Sequence, residues 1–193
     1  ISNRAETVVG KVKIKKKLEE TFKEKIKAKI KFVPHHLSHA YSTMFFLNEN
    51  KNSLIFSFDG SGDFSTSESY KIYSGDINLI DKTIFPNSLG IFYQAFTQFL
   101  GFRRYGEEYK VMSLSSYGKP KYLNEIYQMI KIDNQFRFNL DMKFFKHHKV
   151  GFNLFNETGY PIFTDLFTKE IEKKLGVSTR YKNEELRDVH FDI

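Results

Sequence analysis

His35-His36-Leu37-Ser38-His39 places two imidazoles four residues apart. On a helix, His35 and His39 share one face, one turn apart, and neutral imidazole is the commonest protein ligand for a metal ion. The pattern is not that of a zinc protease, since position 36 is His and not Glu. Taken alone, the pair reads more readily as surface or core histidines than as ligands. A second cluster is Asp59-Gly60-Ser61-Gly62-Asp63. Its glycines free the backbone to bend and let an anion approach the peptide N–H groups. A carboxylate at a strand end can ligate a metal or position a phosphate, although the same residues suit an ordinary hairpin turn. Together, His35, His39 and Asp59 would make a two-histidine, one-carboxylate set with open positions. Such a set suits iron(II) or another divalent ion that must also hold a substrate, with zinc as the runner-up. A third cluster runs from Gly106-Glu107-Glu108-Tyr109-Lys110 to Tyr117-Gly118. Here Lys110 can contact an anion and Glu108 can orient it. The alternative is a plain helix with Tyr109 and Met112 in the core. His147, His148 and His190 show no usable spacing, and 147–148 read as loop or surface.

Elements must bring these residues together. Residues 11–30 carry Ile14, Leu18, Phe22, Ile26 and Ile30 every four residues, which predicts an amphipathic helix. Residues 31–33 read as a short strand, and a helix from His35 to Leu47 follows Pro34, a residue suited to helix entry. Residues 53–59 alternate like a strand, Gly60-Ser61-Gly62 makes a turn, and 63–74 and 77–85 supply two more strands. Asp59 would then stand at the hairpin tip. Asn87-Ser88 offers a cap for a helix from Leu89 to Leu100, stopped by Gly101. Further helices are expected over 107–115, 121–131 and 164–175, with an extended stretch at 135–140. Helices alternating with hairpin strands give the α/β class.

Composition narrows the function. The chain has 193 residues, 21 Phe, 11 Tyr and a formal charge of +7. That length can bury a core, and the apolar residues are spread evenly along it. Much of the positive charge lies between Lys11 and Lys31, among Glu19, Glu20 and Glu24. No nucleic-acid motif accompanies it, so a solvated basic face is preferred over a nucleic-acid surface. The absence of Cys excludes disulfides and thiolate metal sites. No apolar run reaches the roughly 18 residues of a membrane span, and no leader is apparent. A cytoplasmic protein is the expectation.

Three ordered segments now resemble one family: His35-His36-Leu37-Ser38-His39-Ala40, Asp59-Gly60-Ser61-Gly62-Asp63, and Ser88-Leu89-Gly90 through Gly106-Glu107-Glu108-Tyr109-Lys110-Val111-Met112 to Tyr117-Gly118. Over about 31–120 the chain resembles the O-carbamoyltransferases of the NodU/CmcH type. The resemblance implies part of an actin-like ATPase (ASKHA, RNase H-like) domain, a mixed sheet flanked by helices. Residues 1–193 would be a partial N-terminal carbamoyltransferase domain, its first lobe, with the second lobe and a YrdC-like domain lying elsewhere. It implies that His35 and His39 hold a metal assisting nucleotide phosphates, and that Asp59 is an acidic ligand position. Gly60, Ser61 and Gly62 would line the phosphate or carbamoyl site. ATP and carbamoyl phosphate would give carbamoyl adenylate, from which a small-molecule hydroxyl takes the carbamoyl group. The ion would be iron(II), or zinc or manganese. Ser113-Leu114-Ser115-Ser116 departs from the family's Gly-Leu-Ala-Pro before Tyr-Gly. The general base is not identifiable.

The first reading is therefore a carbamoyltransferase fragment, active in its parent and inactive alone. Its partners would be a nucleotide and a small acceptor, with neither nucleic acid nor membrane. A surface made to meet the missing lobe would favour self-association. The alternative is a noncatalytic metal- or nucleotide-binding scaffold of the same fold.

Overall fold

The computed structural model describes residues 13–46, 52–134, 137–149, 154–155, 161–162 and 164–193. Helix α1 spans 13–22 and stops where Lys23 takes a left-handed φ of 54°. The helix expected over 11–30 is thus cut short; residues 11 and 12 lie outside the described ones. Its apolar stripe is not packed, since Phe22 is 65% exposed. A short helix without tertiary packing has little to sustain a further turn. The strand expected at 31–33 is also not formed, because that extended stretch has no ladder partner among the described residues.

Helix α2, His35–Met44, begins directly after Pro34 at the N-cap. Strands β1 (Ser53–Gly62), β2 (Ser65–Tyr73) and β3 (Asp76–Ile84) form an antiparallel sheet in that order. On β1, Ile55 and Ser57 are buried while Leu54, Phe56 and Phe58 face outward, the period of two that a strand imposes. Helix α2 packs on the inner face, where Ala40, Ile55, Tyr70 and Ile72 make a small core. Ala40 is fully buried, and its single methyl lets the helix come close to the sheet.

The turn is not where the glycines predicted it. β1 continues through Gly62, which pairs with Ser65, and the reversal is made by Asp63 and Phe64 at φ values of 50° and 73°. Two adjacent positive φ angles match the twist of a two-residue hairpin. Between Phe58 and Gly62 the pairing with β2 is interrupted, so Asp59-Gly60-Ser61 forms an irregular bulge. Asp59 therefore lies in this bulge, short of the tip.

Helix α3, Leu89–Phe99, is the spine of the larger core. Ile91, Ala95, Phe96 and Phe99 recur at helical spacing and pack with Phe144, Phe145 and Ile171. Gln98 is buried on the same helix: its Oε1 accepts from Leu166 N–H at 2.8 Å and its Nε2 donates to the Thr164 carbonyl at 3.2 Å. Gly101 ends the helix segment at φ 86°, as expected.

Helix α4, Glu108–Leu114, runs into a single 3-10 turn, Ser115–Tyr117. Tyr109 and Met112 are 60% and 65% exposed, which overturns their assignment to the core. Helix α5 covers only Leu123–Tyr127, because 130–132 become strand β4 paired with β5, Phe138–Leu140. Residues 135–136 of the expected extended stretch lie outside the described residues. A short pair, β6 (Leu154–Phe155) and β7 (Pro161–Ile162), precedes α6, Glu170–Leu175, and α7, Asp188–Asp192. The helix expected to start at 164 starts at Glu170, since 164–168 lie extended and bonded to Gln98 and to residues 144–146. His147, expected in a loop or at the surface, does lie in a turn but is buried beside Phe85 and Phe145, and its Nε2 donates to the Pro86 carbonyl at 2.7 Å. The α/β class holds, but every strand pairing among the described residues is antiparallel, so the expected mixed sheet is not seen in them.

Candidate metal centre

The inner face of α2 carries His36 and Ala40, and its rim carries His35 and His39. On β1, Ser57 and Asp59 are two residues apart. The first turn of α2 is tied at three points to β1, its bulge and the turn that follows it. His36 Nδ1 and Ser57 Oγ are hydrogen-bonded at 2.7 Å in a buried setting. The ring of His35 meets the Asp59 carboxylate, Nε2 to Oδ2, at 2.5 Å. The His35 backbone N–H donates to Asp63 Oδ2 at 2.9 Å. The two aspartates that flank Gly-Ser-Gly thus grip one turn of helix, one through its ring and one through its peptide. An acceptor at that end also suits the unpaired N–H groups and dipole of a helix start.

His39 completes a group of three. Its Nε2 is 3.1 Å from His35 Nε2 and 3.6 Å from Asp59 Oδ2. One ligand atom from each of His35, His39 and Asp59 lies within 4.8 Å of the others. Ligands about 2.1 Å from one ion stand about 3.0 Å apart at right angles and about 3.4 Å apart in a tetrahedron. The 3.1 Å separation falls in that range, and the 3.6 Å separation lies about 0.2 Å beyond it. An ion on these atoms would displace the proton that His35 and Asp59 share. The side chains of His35, His39 and Asp59 keep 39%, 53% and 38% of their surface, so the group is open on one side. The donors thus fit a divalent ion with positions left for a further ligand.

Burial alone would raise the Asp59 pKa. The His35 hydrogen bond, the Gly60 N–H bond at 2.6 Å and the two imidazole charges outweigh it and hold the carboxyl below its ordinary value. A carboxylate that stays ionised is the form that ligates a cation.

The glycines serve close approach. A β-carbon on Gly62 would lie 2.0–2.7 Å from the His35 side chain, and one on Gly90 would lie 2.7 Å from Gly60 N and 2.9 Å from Asp59 C. Ser88, fully buried, caps α3 by accepting from Ile91 N–H at 3.1 Å, and its hydroxyl reaches the Gly60 carbonyl at 2.8 Å. The Ser88-Leu89-Gly90 run therefore sets the start of α3 against the Asp59-Gly60 backbone. No spacing rule in the sequence signals these contacts.

Lys110 is engaged elsewhere. Its ammonium is 2.6 Å from Glu107 Oε1 and lies over the Phe102 ring. Burial would raise the Glu107 pKa, but this bond and the Arg104 N–H hold it below the usual value. Tyr117-Gly118 is a packing motif: a β-carbon on Gly118 would strike the Phe191 carbonyl of α7, and Asp192 accepts from Lys119 N–H at 2.8 Å. Gly60 and Ser61 lie in the bulge that carries Asp59, and Gly62, paired with Ser65, closes it against the His35 ring.

Comparison with known proteins places this geometry in context. The model of the family described as carbamoyltransferase N-terminus matches residues 4–185. An uncharacterised protein of Synechocystis is 36% identical over 142 residues, covering 70% of this chain and 21% of that protein. The nodulation protein NolNO of Sinorhizobium fredii is 42% identical over 93 residues, 47% of this chain and 13% of its own length. The nodulation protein NolO of Bradyrhizobium diazoefficiens is 39% identical over 95 residues, 48% and 17% respectively. The chain therefore spans about a fifth or less of the relatives it matches.

Proposed function

From the membership of this chain in the carbamoyltransferase N-terminal family, which the match over residues 4–185 shows, we propose that its parent protein is an O-carbamoyltransferase acting on a small-molecule hydroxyl. Carbamoyl phosphate and ATP would be consumed through carbamoyl adenylate. The chain would be part of an actin-like ATPase domain, with the rest of the machinery elsewhere in the parent.

The observation that carries the site is the convergence of His35, His39 and Asp59 from two elements. These three residues would hold a divalent ion, iron(II) first, with manganese or zinc as alternatives. Such an ion, when bound, offsets negative charge on phosphate oxygens. The chain's own residues do the rest. Asp59 stays ionised and fixes the His35 ring. Gly60 and Gly62 place no side chain beside Asp59 and His35, so peptide groups of this segment would be able to approach an anion. Lys110 would reach a phosphate only by exchanging its Glu107 partner for it. In the transfer step the acceptor oxygen forms a bond to the carbamoyl carbon, the bond to the adenylate phosphate breaks, AMP leaves, and the hydroxyl proton passes to a base.

The test uses the full-length protein with carbamoyl-labelled carbamoyl phosphate, ATP and a panel of polyhydroxylated acceptors. Label should move to an acceptor with release of AMP, and the His35→Ala/His39→Ala double variant should lose this. Metal and nucleotide binding by a folded wild-type protein, with no transfer to any acceptor and no AMP, would favour a noncatalytic module.

No helix among the described residues is long and apolar enough to cross a membrane.

A further inference from the structure

We infer that His36 and Ser57 are positioning residues for the metal triad: their buried hydrogen bond is the clamp that sets how α2, bearing His35 and His39, sits on β1, bearing Asp59. This rests on the reading of His35, His39 and Asp59 as metal ligands.

The placement is direct. His36 follows one ligand histidine and precedes the other by three residues, and Ser57 lies two residues before Asp59. His36 is 1% exposed and Ser57 6% exposed, with Nδ1 and Oγ at 2.7 Å. The His36 ring stands edge-on to that of His35, centroids 5.4 Å apart, and 6.2 Å from that of His39. A rotation or slide of α2 on the sheet would therefore move both ligand rings and break this bond together.

The rest of the contact between α2 and the sheet is apolar: Ala40 against Ile55, Tyr70 and Ile72, with Leu37 and Met44 at the margin. Such contacts hold the helix down but leave it free to slide, because burial of apolar surface is not directional. A hydrogen bond with one donor and one acceptor fixes position along the strand. His36 also leaves Nε2 buried with no hydrogen-bond partner among the described residues, an unfavourable arrangement. Leucine at 36 would avoid that penalty and fill the space, but would supply no directional tie. The His35–Asp59 bond does not replace the clamp, since an ion on those atoms displaces its proton. With the ion bound, His36–Ser57 and the His35 N–H bond to Asp63 remain as the polar ties described between the first turn of α2 and the β1–β2 hairpin.

The experiment uses the full-length protein and Mn(II) alone as probe. Ser57→Ala and His36→Leu should weaken Mn(II) affinity roughly 10–100-fold, the usual effect of losing a group that orients a ligand. Ser57→Thr, which restores the hydroxyl, and His36→Asn, whose amide can stand in for Nδ1, should recover most of it. Ser57→Ala removes one oxygen, so it tests the clamp even where His36→Leu fails to fold. Wild-type Mn(II) affinity in Ser57→Ala, while His35→Ala abolishes binding, would overturn the inference. A lowered thermal midpoint with unchanged affinity would do the same. If Mn(II) binding survives His35→Ala, or is absent from the wild type, the metal reading itself fails. The clamp is then judged on the metal-free protein carrying 15N-histidine. Ser57→Ala must shift the His35 and His39 ring signals, and unchanged signals reject it.

Discussion

Gly62 stands against the imidazole of His35, so that a β-carbon at residue 62 would lie 2.0 Å from Cδ2 and 2.2 Å from Cγ of that ring. The ring is itself held by Asp59 at 2.5 Å and its peptide N–H by Asp63, so it has little room to yield. Gly62→Ala should force the ring or the strand to move, destabilising the protein by about 1–3 kcal/mol. Gly60→Ala serves as the contrast, since nothing lies within 4 Å of a β-carbon there. Its effect on stability should stay within about 0.5 kcal/mol. Urea denaturation of the two variants measures the difference. Equal effects would mean that the contact with His35 is not the reason for glycine at 62.

Ser88 joins α3 to the bulge. Its hydroxyl accepts from Ile91 N–H and donates to the Gly60 carbonyl. Ser88→Ala removes an N-cap and leaves buried groups without that partner, so a loss of about 2 kcal/mol is expected. Gly90→Ala should be worse, because its new methyl meets the backbone of Asp59 and Gly60 and not a side chain that can turn aside. Thermal denaturation ranks the two. A Gly90→Ala protein as stable as the wild type would refute the close approach of α3 to the bulge.

The ladder of strands and the start of α2 were legible because alternation and a proline entry are local signals. The His35–His39 spacing and the carboxylate at Asp59 were legible as a possible ligand set for the same reason. The turn was misplaced because glycine signals two different needs. At Gly60-Ser61-Gly62 the sequence pattern suggests conformational freedom, whereas Gly62 meets the ring of His35 and the positive φ angles fall on Asp63 and Phe64. His36, Ser57 and Ser88 carry no local signal as site residues, since each bonds to a group more than 20 residues away in sequence. Helices α1, α5 and α6 came out shorter than their patterns because periodicity marks a face that can be buried. Phe22 shows that the partner for such a face is not in the pattern itself.

Acid should weaken the fold through Glu172. Its carboxylate accepts from Thr179 N–H at 2.7 Å, and this bond holds its pKa below the ordinary glutamate value. A depressed folded-state value means that the contribution is fully present above the unfolded value and is lost as pH falls through the folded one. Glu172→Gln should therefore lower the thermal midpoint at neutral pH. The gap to wild type should close as pH falls below the ordinary carboxylate range of about 4 and Glu172 becomes neutral in the folded as well as the unfolded chain. Melting curves across this range decide it, and a gap that persists unchanged at the acid end would show that the Thr179 bond does not depend on charge.

The charge of Asp59 should decide how tightly a divalent ion is held. Burial would raise its pKa, but the His35 bond, the Gly60 N–H and the imidazole charges hold the carboxyl below its ordinary value, so the ionised, ligating form prevails at neutral pH. Asp59→Asn in the full-length protein keeps the size of the side chain and removes that charge, so Mn(II) affinity should fall by at least about 100-fold. The His35→Ala/His39→Ala variant removes two of the three donors and should lose Mn(II) binding altogether. Equilibrium dialysis with Mn(II) at neutral pH reads both losses. Wild-type affinity in Asp59→Asn, beside loss of binding in the histidine variant, would mean that the carboxylate orients His35 and is not itself a ligand.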